Sequence, residues 1–306
     1  MTDGFREHGR RLSNWGRWGD DDALGTLNLI TPERRAAAAQ LVRAGVSVPL
    51  GLPFDKDGPQ VVEGTRRNPI HLMTRLGDRE PAPGGFVFLD DAVFLHTQCA
   101  TQIDALSHVS YDGLLYNGHP VESVTRAGAA VLGVETFRAG IQGRGVLFDL
   151  PAVLGRRRME AGESIGISLL EECEAAQDVR VGEGDILLLR TGWMSVFTID
   201  GDRARYLGGE PGITLEVAGW LHDRGVAFLA SDTWGIEVSP GERADEEMPL
   251  HCVLIRDMGL PLGEMFDLDA VAAQCAATET WEFQFTCLPL PITGAVGSPI
   301  APVATL

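Results

Sequence analysis

Residues 185–193 read DILLLRTGW. Ile186 to Leu189 are four large aliphatic residues in a row, so an extended chain here has no polar face. A strand with one side in water would alternate apolar and polar residues; an unbroken run fits a strand buried on both faces, and such strands belong to sheets covered by helices. Helix signals lie on either side. Thr31-Pro32-Glu33 offers a capping hydroxyl, a first-turn proline and an acidic residue near the positive helix end. RRAAAAQLVRA continues that helix towards Gly45. Ser168 and Glu171 form a capping-box pair before SLLEECEAAQ. TLEVAGWLHDRG (214–225) ends on a glycine suited to a helix C-terminus, and DLDAVAAQCA is a further helix. VSVPLGLPF, FVFLDDAVFLH, AAVLGVETF, GRGVLFDLPAVLG, VAFLASD, PLHCVLIRD and WEFQFTCLPLPI read as strands. The mixture is α/β without regular βαβ alternation. No linker cuts the chain, so 1–306 is expected to be one domain. Residues 1–30 form an irregular N-terminal arm in which Trp15 and Trp18 pack on a neighbouring surface.

The composition is that of a globular protein, 44% hydrophobic and 22% charged. A formal net charge of −18 argues against nucleic acid or an anionic membrane as partner, since both require clustered basic charge. The five cysteines have no CxxC spacing and sit mostly in apolar runs, which points to free thiols in a reducing cytoplasm. No apolar run approaches the about 20 residues of a membrane span, and the N-terminus has no signal-peptide core. Phosphate-loop and dinucleotide motifs are absent.

The polar residues of QCATQIDALSH (98–108) carry the chemistry. If 98–104 is extended, Gln98, Gln102 and Asp104 share one face, with His108 following. Periodicity alone fits a half-buried strand equally well. A second cluster is PLHCVLIRDMGLPLGEMF, in which His251 opens an apolar strand and Glu264 follows a loop.

Together these stretches resemble the cyclase family of metal-dependent hydrolases, which includes kynurenine formamidase and isatin hydrolase. The family signature is HxGTHxDxPxH. Thr101, Asp104 and His108 match it in register, while Gln98 and Gln102 stand where it has histidines. TQIDALSHVSYDGLLYNG resembles a longer branch that has glutamine in this form, and the likeness runs over roughly residues 45–305. It implies a swivelling β/β/α-type mixed sheet with flanking helices, and a homodimer or larger assembly. It also implies that Asp104, His251 and Glu264 hold a metal, with Gln98 and Gln102 at altered ligand positions and His108 as acid/base or extra ligand. An amide oxygen donates less charge than imidazole, so the expectation is one divalent ion, zinc or manganese. The implied reaction is hydrolysis of an amide, lactam, lactone or similar cyclic carbonyl of a small molecule. A cyclase or dehydratase/lyase using the same pocket, and a non-catalytic binding protein, are the alternatives. His71, Trp234 and Asp232 are candidate substrate contacts; Glu237 lies in the same loop as the last two. His96 is a candidate replacement ligand.

Overall fold

The computed structural model describes residues 4–61, 64–78 and 82–306. Its strands are β1 (Ser47–Pro49), β2 (Ile70–Arg75), β3 (Asp90–Phe94), β4 (Gln102–Asp104), β5 (Ile141–Asp149), β6 (Ile186–Arg190), β7 (Phe228–Ser231), β8 (Leu262–Glu264), β9 (Glu282–Cys287), β10 (Gly297–Pro299) and β11 (Val303–Thr305). Nine of them form one mixed sheet in the order β1-β11-β9-β5-β6-β7-β8-β4-β10. The ILLL run is the middle of β6, fully buried as its composition requires, and β5, β6, β7 and β8 run parallel. Strands β4, β9, β10 and β11 add antiparallel wings. The helices are α1 (Gly4–Leu12), α2 (Pro32–Ala39), α3 (Ile167–Ala176), α4 (Val217–Arg224), α5 (Pro249–His251, continuing as the π-helix Cys252–Asp257) and α6 (Asp269–Thr278), beside shorter turns. The result is a mixed α/β architecture: a large mixed sheet flanked by helices.

Several expectations are corrected. The arm is not irregular throughout, because 4–12 is helix α1, with Phe5, Gly9 and Leu12 buried at helical spacing. Gly9 is a point of close approach between α1 and the body: a Cβ there would lie 2.1 Å from Asp257 Oδ2. Trp15 packs on this chain itself, donating from Nε1 to the Arg256 carbonyl at 2.8 Å. PLHCVLIRD is helical rather than a strand. All of residues 250–258 are buried, and an apolar run buried on every side has no period to separate helix from strand. AAVLGVETF is not a strand either; it holds a short pairing of 128–129 with 124–125 and a 3₁₀ turn at Val134–Phe137. Helix α2 stops well before Gly45. Helix α3 starts at Ile167, with Gly166 and not Ser168 in the capping position.

Strands β2 and β3 pair only with each other, and nearly every residue of both is exposed. This hairpin and its connection carry Ile70, Leu72, Met73, Leu76, Phe86, Phe88, Leu89, Val93 and Phe94 at 41–64% exposure. A lone two-stranded hairpin is marginal in water. Among the described residues no helix is long and apolar enough to cross a membrane.

Candidate active site

The site begins with a strand pairing. Strands β8 and β4 are antiparallel, and Glu264 lies directly opposite Gln102. Side chains of such a pair share a face; accordingly Gln102 Nε2 donates to Glu264 Oε2 at 2.5 Å. Asp104, two residues further along β4, falls on the same face and is fully buried. Helix α5 brings in His251, whose Nε2 lies 3.0 Å from Glu264 Oε1. Its Nδ1 lies 2.5 Å from Glu237 Oε1. Glu237 also accepts the backbone N–H groups of Leu250 and His251, both at 3.1 Å, and so supplies the acceptor that the start of this helix lacks. Asp104, His251 and Glu264 each offer one ligand atom, and these atoms lie within 4.8 Å of one another.

Burial of these groups sets their charge. Burial, with the nearby charge of Asp104, pushes the Glu264 carboxyl up to about 7. Burial works against a charged His251, but hydrogen bonds to Glu237 and Glu264 outweigh it and raise the imidazole to about 10. Both Asp104 oxygens and Gln102 Oε1 are buried without a hydrogen-bond partner. Three acceptors beside a second carboxylate have no hydrogen-bond donor among the described residues, and buried groups in that condition are costly. A divalent cation fits this oxygen-rich donor set, and Glu237 then orients His251 as carboxylates do for metal-bound imidazoles.

Above the cluster lies a cavity of about 470 Å³, lined among others by His108, Arg66, Glu210, Trp234, His251 and Glu264. His108 Nε2 is 3.8 Å from Asp104 Oδ1, too far for a hydrogen bond, and its side chain faces the cavity. Burial lowers its pKa below the ordinary imidazole value, against the opposing pull of Asp104.

The remaining sequence candidates fall in different places. Residues 98–101 turn instead of extending, so alternation does not set where Gln98 points; its side chain packs on Gly297, the residue opposite Asp104, where a Cβ would lie 2.4 Å from Nε2. His96 Nδ1 accepts the Arg67 N–H at 3.0 Å, at the foot of the hairpin. His71 is exposed on β2 and pairs with Asp91 at 2.8 Å. Trp234 lines the cavity. Asp232 is buried and turned towards the end of β6, accepting from Thr191 N, Thr191 Oγ1 and Gly192 N at 2.6–2.8 Å. Asp232→Ala should therefore destabilise the fold by about 3 kcal/mol in urea denaturation, because it leaves buried donors unpaired. A raised KM at unchanged stability would instead make Asp232 a substrate contact.

Two groups gave no sequence signal. Glu210 lies in a glycine-flanked loop, accepts the N–H groups of Trp234 and Gly235 at 2.5 and 2.7 Å, and is pushed by burial up to about 8. It holds in place the loop that carries Trp234 and Glu237. The other is Arg66, whose guanidinium carbon sits 4.8 Å from the centre of the Trp234 ring.

The mixed α/β sheet thus carries a buried carboxylate–imidazole cluster beneath a cavity. The family model described as "Putative cyclase" matches residues 46–238, and the chain belongs to this cyclase family. A crystal structure described as that of a novel cyclase is 36% identical, with a TM-score of 0.88 over 96% of this chain and 99% of that one. His251 and Glu264 lie beyond the residues matched by the family model. Isatin hydrolase A from Ralstonia solanacearum shares 18% identity, with a TM-score of 0.61 over 88% of this chain and 94% of that one. A structure described as a potential metal-dependent hydrolase with cyclase activity shares 16%, with a TM-score of 0.54 over 85% and 98%. At these last two identities the likeness is one of fold. No curated protein matches the chain.

Proposed function

We propose that the protein is a metal-dependent hydrolase of an amide, lactam, lactone or similar cyclic carbonyl compound. The observation that carries this is the convergence of Asp104, His251 and Glu264 around acceptor oxygens that have no donor. These three residues, with Gln102 Oε1 beside them, would hold one zinc or manganese ion. When bound, such an ion polarises a carbonyl and makes water more acidic. His108, uncharged at neutral pH and facing the cavity, takes the proton of the attacking water and returns it to the leaving group. Glu237 keeps the His251 ring oriented. Trp234 and the apolar wall receive the organic part of the substrate. Purified protein assayed on small cyclic amides and lactones, with Mn²⁺, with Zn²⁺ and after chelation, tests the reading. Hydrolysis lost on chelation and restored by one of the metals supports it; product formation by ring closure or water elimination alone would move the protein to another reaction class.

The protein is further proposed to be a homodimer or larger assembly in which a second copy covers the β2–β3 hairpin. The exposed apolar side chains there are clustered on one hairpin and not scattered singly, as on an interaction surface. Leu72→Asp with Val93→Asp should convert the assembly to monomer in sedimentation velocity; a wild-type protein that already sediments as monomer would sink this. The five cysteines are free and buried, which fits a cytoplasmic setting.

A further inference from the structure

The wall of the cavity holds an unmatched cation. Glu210, Glu237, Glu246, Glu247 and Glu264 all line the same space, in a chain of net charge −18. Yet no carboxylate among the described residues pairs with Arg66. Its one hydrogen bond among the described residues goes to the Gln98 carbonyl at 3.5 Å, the outer limit for such a bond. Its plane is steadied instead by the Trp234 ring. A guanidinium carries five N–H donors in a fixed fork that matches a carboxylate, and here most of that fork is unused. The indole of Trp234 adds a second unused donor, since its Nε1 is buried without a partner. The charge of Arg66 reaches both His108 and Glu264, so the cation stands beside the cluster described above. Val109, Leu207, Val238 and Met248 give the cavity an apolar lining, and its size admits a ring of six or more atoms.

We propose that Arg66 and Trp234 form an anchoring subsite for a planar organic carboxylate, so that the substrate is an anion whose carboxylate pairs with Arg66 while its ring lies against the indole. This deepens the hydrolase reading and rests on the same cavity being the substrate pocket. The acidic wall then opposes an anionic ligand less than its charge alone implies, because the anion meets a cation already oriented for it.

The test uses chelator-treated protein, where no metal competes for the carboxylate and hydrolysis plays no part. Benzoate and its neutral analogue benzamide are titrated by calorimetry into wild type, Arg66→Ala and Arg66→Lys. A hydrogen bond between charged groups contributes about 1.5–3 kcal/mol, or roughly ten- to a hundredfold in Kd. Benzoate binding should weaken by that factor in Arg66→Ala and less in Arg66→Lys, with benzamide binding unchanged. Circular dichroism of the variants reports whether they fold, and Trp234→Leu should weaken both probes alike. Equal benzoate affinity in wild type and Arg66→Ala overturns the proposal. So does benzoate binding that appears only after Mn²⁺ or Zn²⁺ is restored, since the carboxylate then goes to the metal. Loss of metal-dependent hydrolysis with benzoate discrimination intact would overturn the hydrolase reading and leave this one standing.

Discussion

Asp104→Asn should deprive the protein of its divalent ion and lower kcat/KM by about a thousandfold or more, because the charge stabilisation a metal supplies amounts to several kcal/mol. The two side chains are nearly isosteric, so packing around β4 is preserved and the change is one of charge. Asp104 is fully buried, and in the metal-free protein neither oxygen has a donor. A buried carboxylate in that state is a cost that the neutral amide relieves. The metal-free variant should consequently melt no lower than the metal-free wild type, while the wild type alone gains stability on adding metal. Elemental analysis and paired thermal melts read both effects without any substrate. Stoichiometric metal in Asp104→Asn would remove this residue from the ligand set.

His108→Ala should lower kcat by about 10²- to 10⁴-fold, the range for loss of a positioned acid/base group, while metal content stays at the wild-type level. Two observations separate its role from that of Asp104. Its Nε2 stands 3.8 Å from Asp104 Oδ1, and its ring faces the cavity. Burial lowers its pKa, so the ring is neutral at pH 7 and free to accept a proton, and it gains charge only as pH falls below that lowered value. Loss of metal on this substitution would make His108 a ligand instead.

The centre of the sheet was legible because β6 states its environment in four adjacent aliphatic residues, and because helices α2 and α4 carry a capping threonine and a terminal glycine. The segment 249–257 was not, since burial all round erases the periodic signal, and its helical form is what lets Glu237 cap the backbone at His251. Within QCATQIDALSH, alternation placed Gln102 and Asp104 together, and strand β4 does so. It does not extend to Gln98, because only three residues of the stretch are in a strand. Arg66, Glu210 and Glu237 come from loops far apart in the chain, and no spacing rule joins residues that only the tertiary fold brings to one cavity.

The hairpin and the cavity share a hinge. Arg66 reaches the Gln98 carbonyl, and the Arg67 N–H reaches His96, so the two chain segments that enter and leave the hairpin are tied to each other at the cavity rim. If a neighbouring copy grips the hairpin, that grip also sets where the Arg66 guanidinium stands. Dilution then behaves as an inhibitor: as copies separate, turnover per molecule drops although every residue of the Asp104–His251–Glu264 cluster is intact.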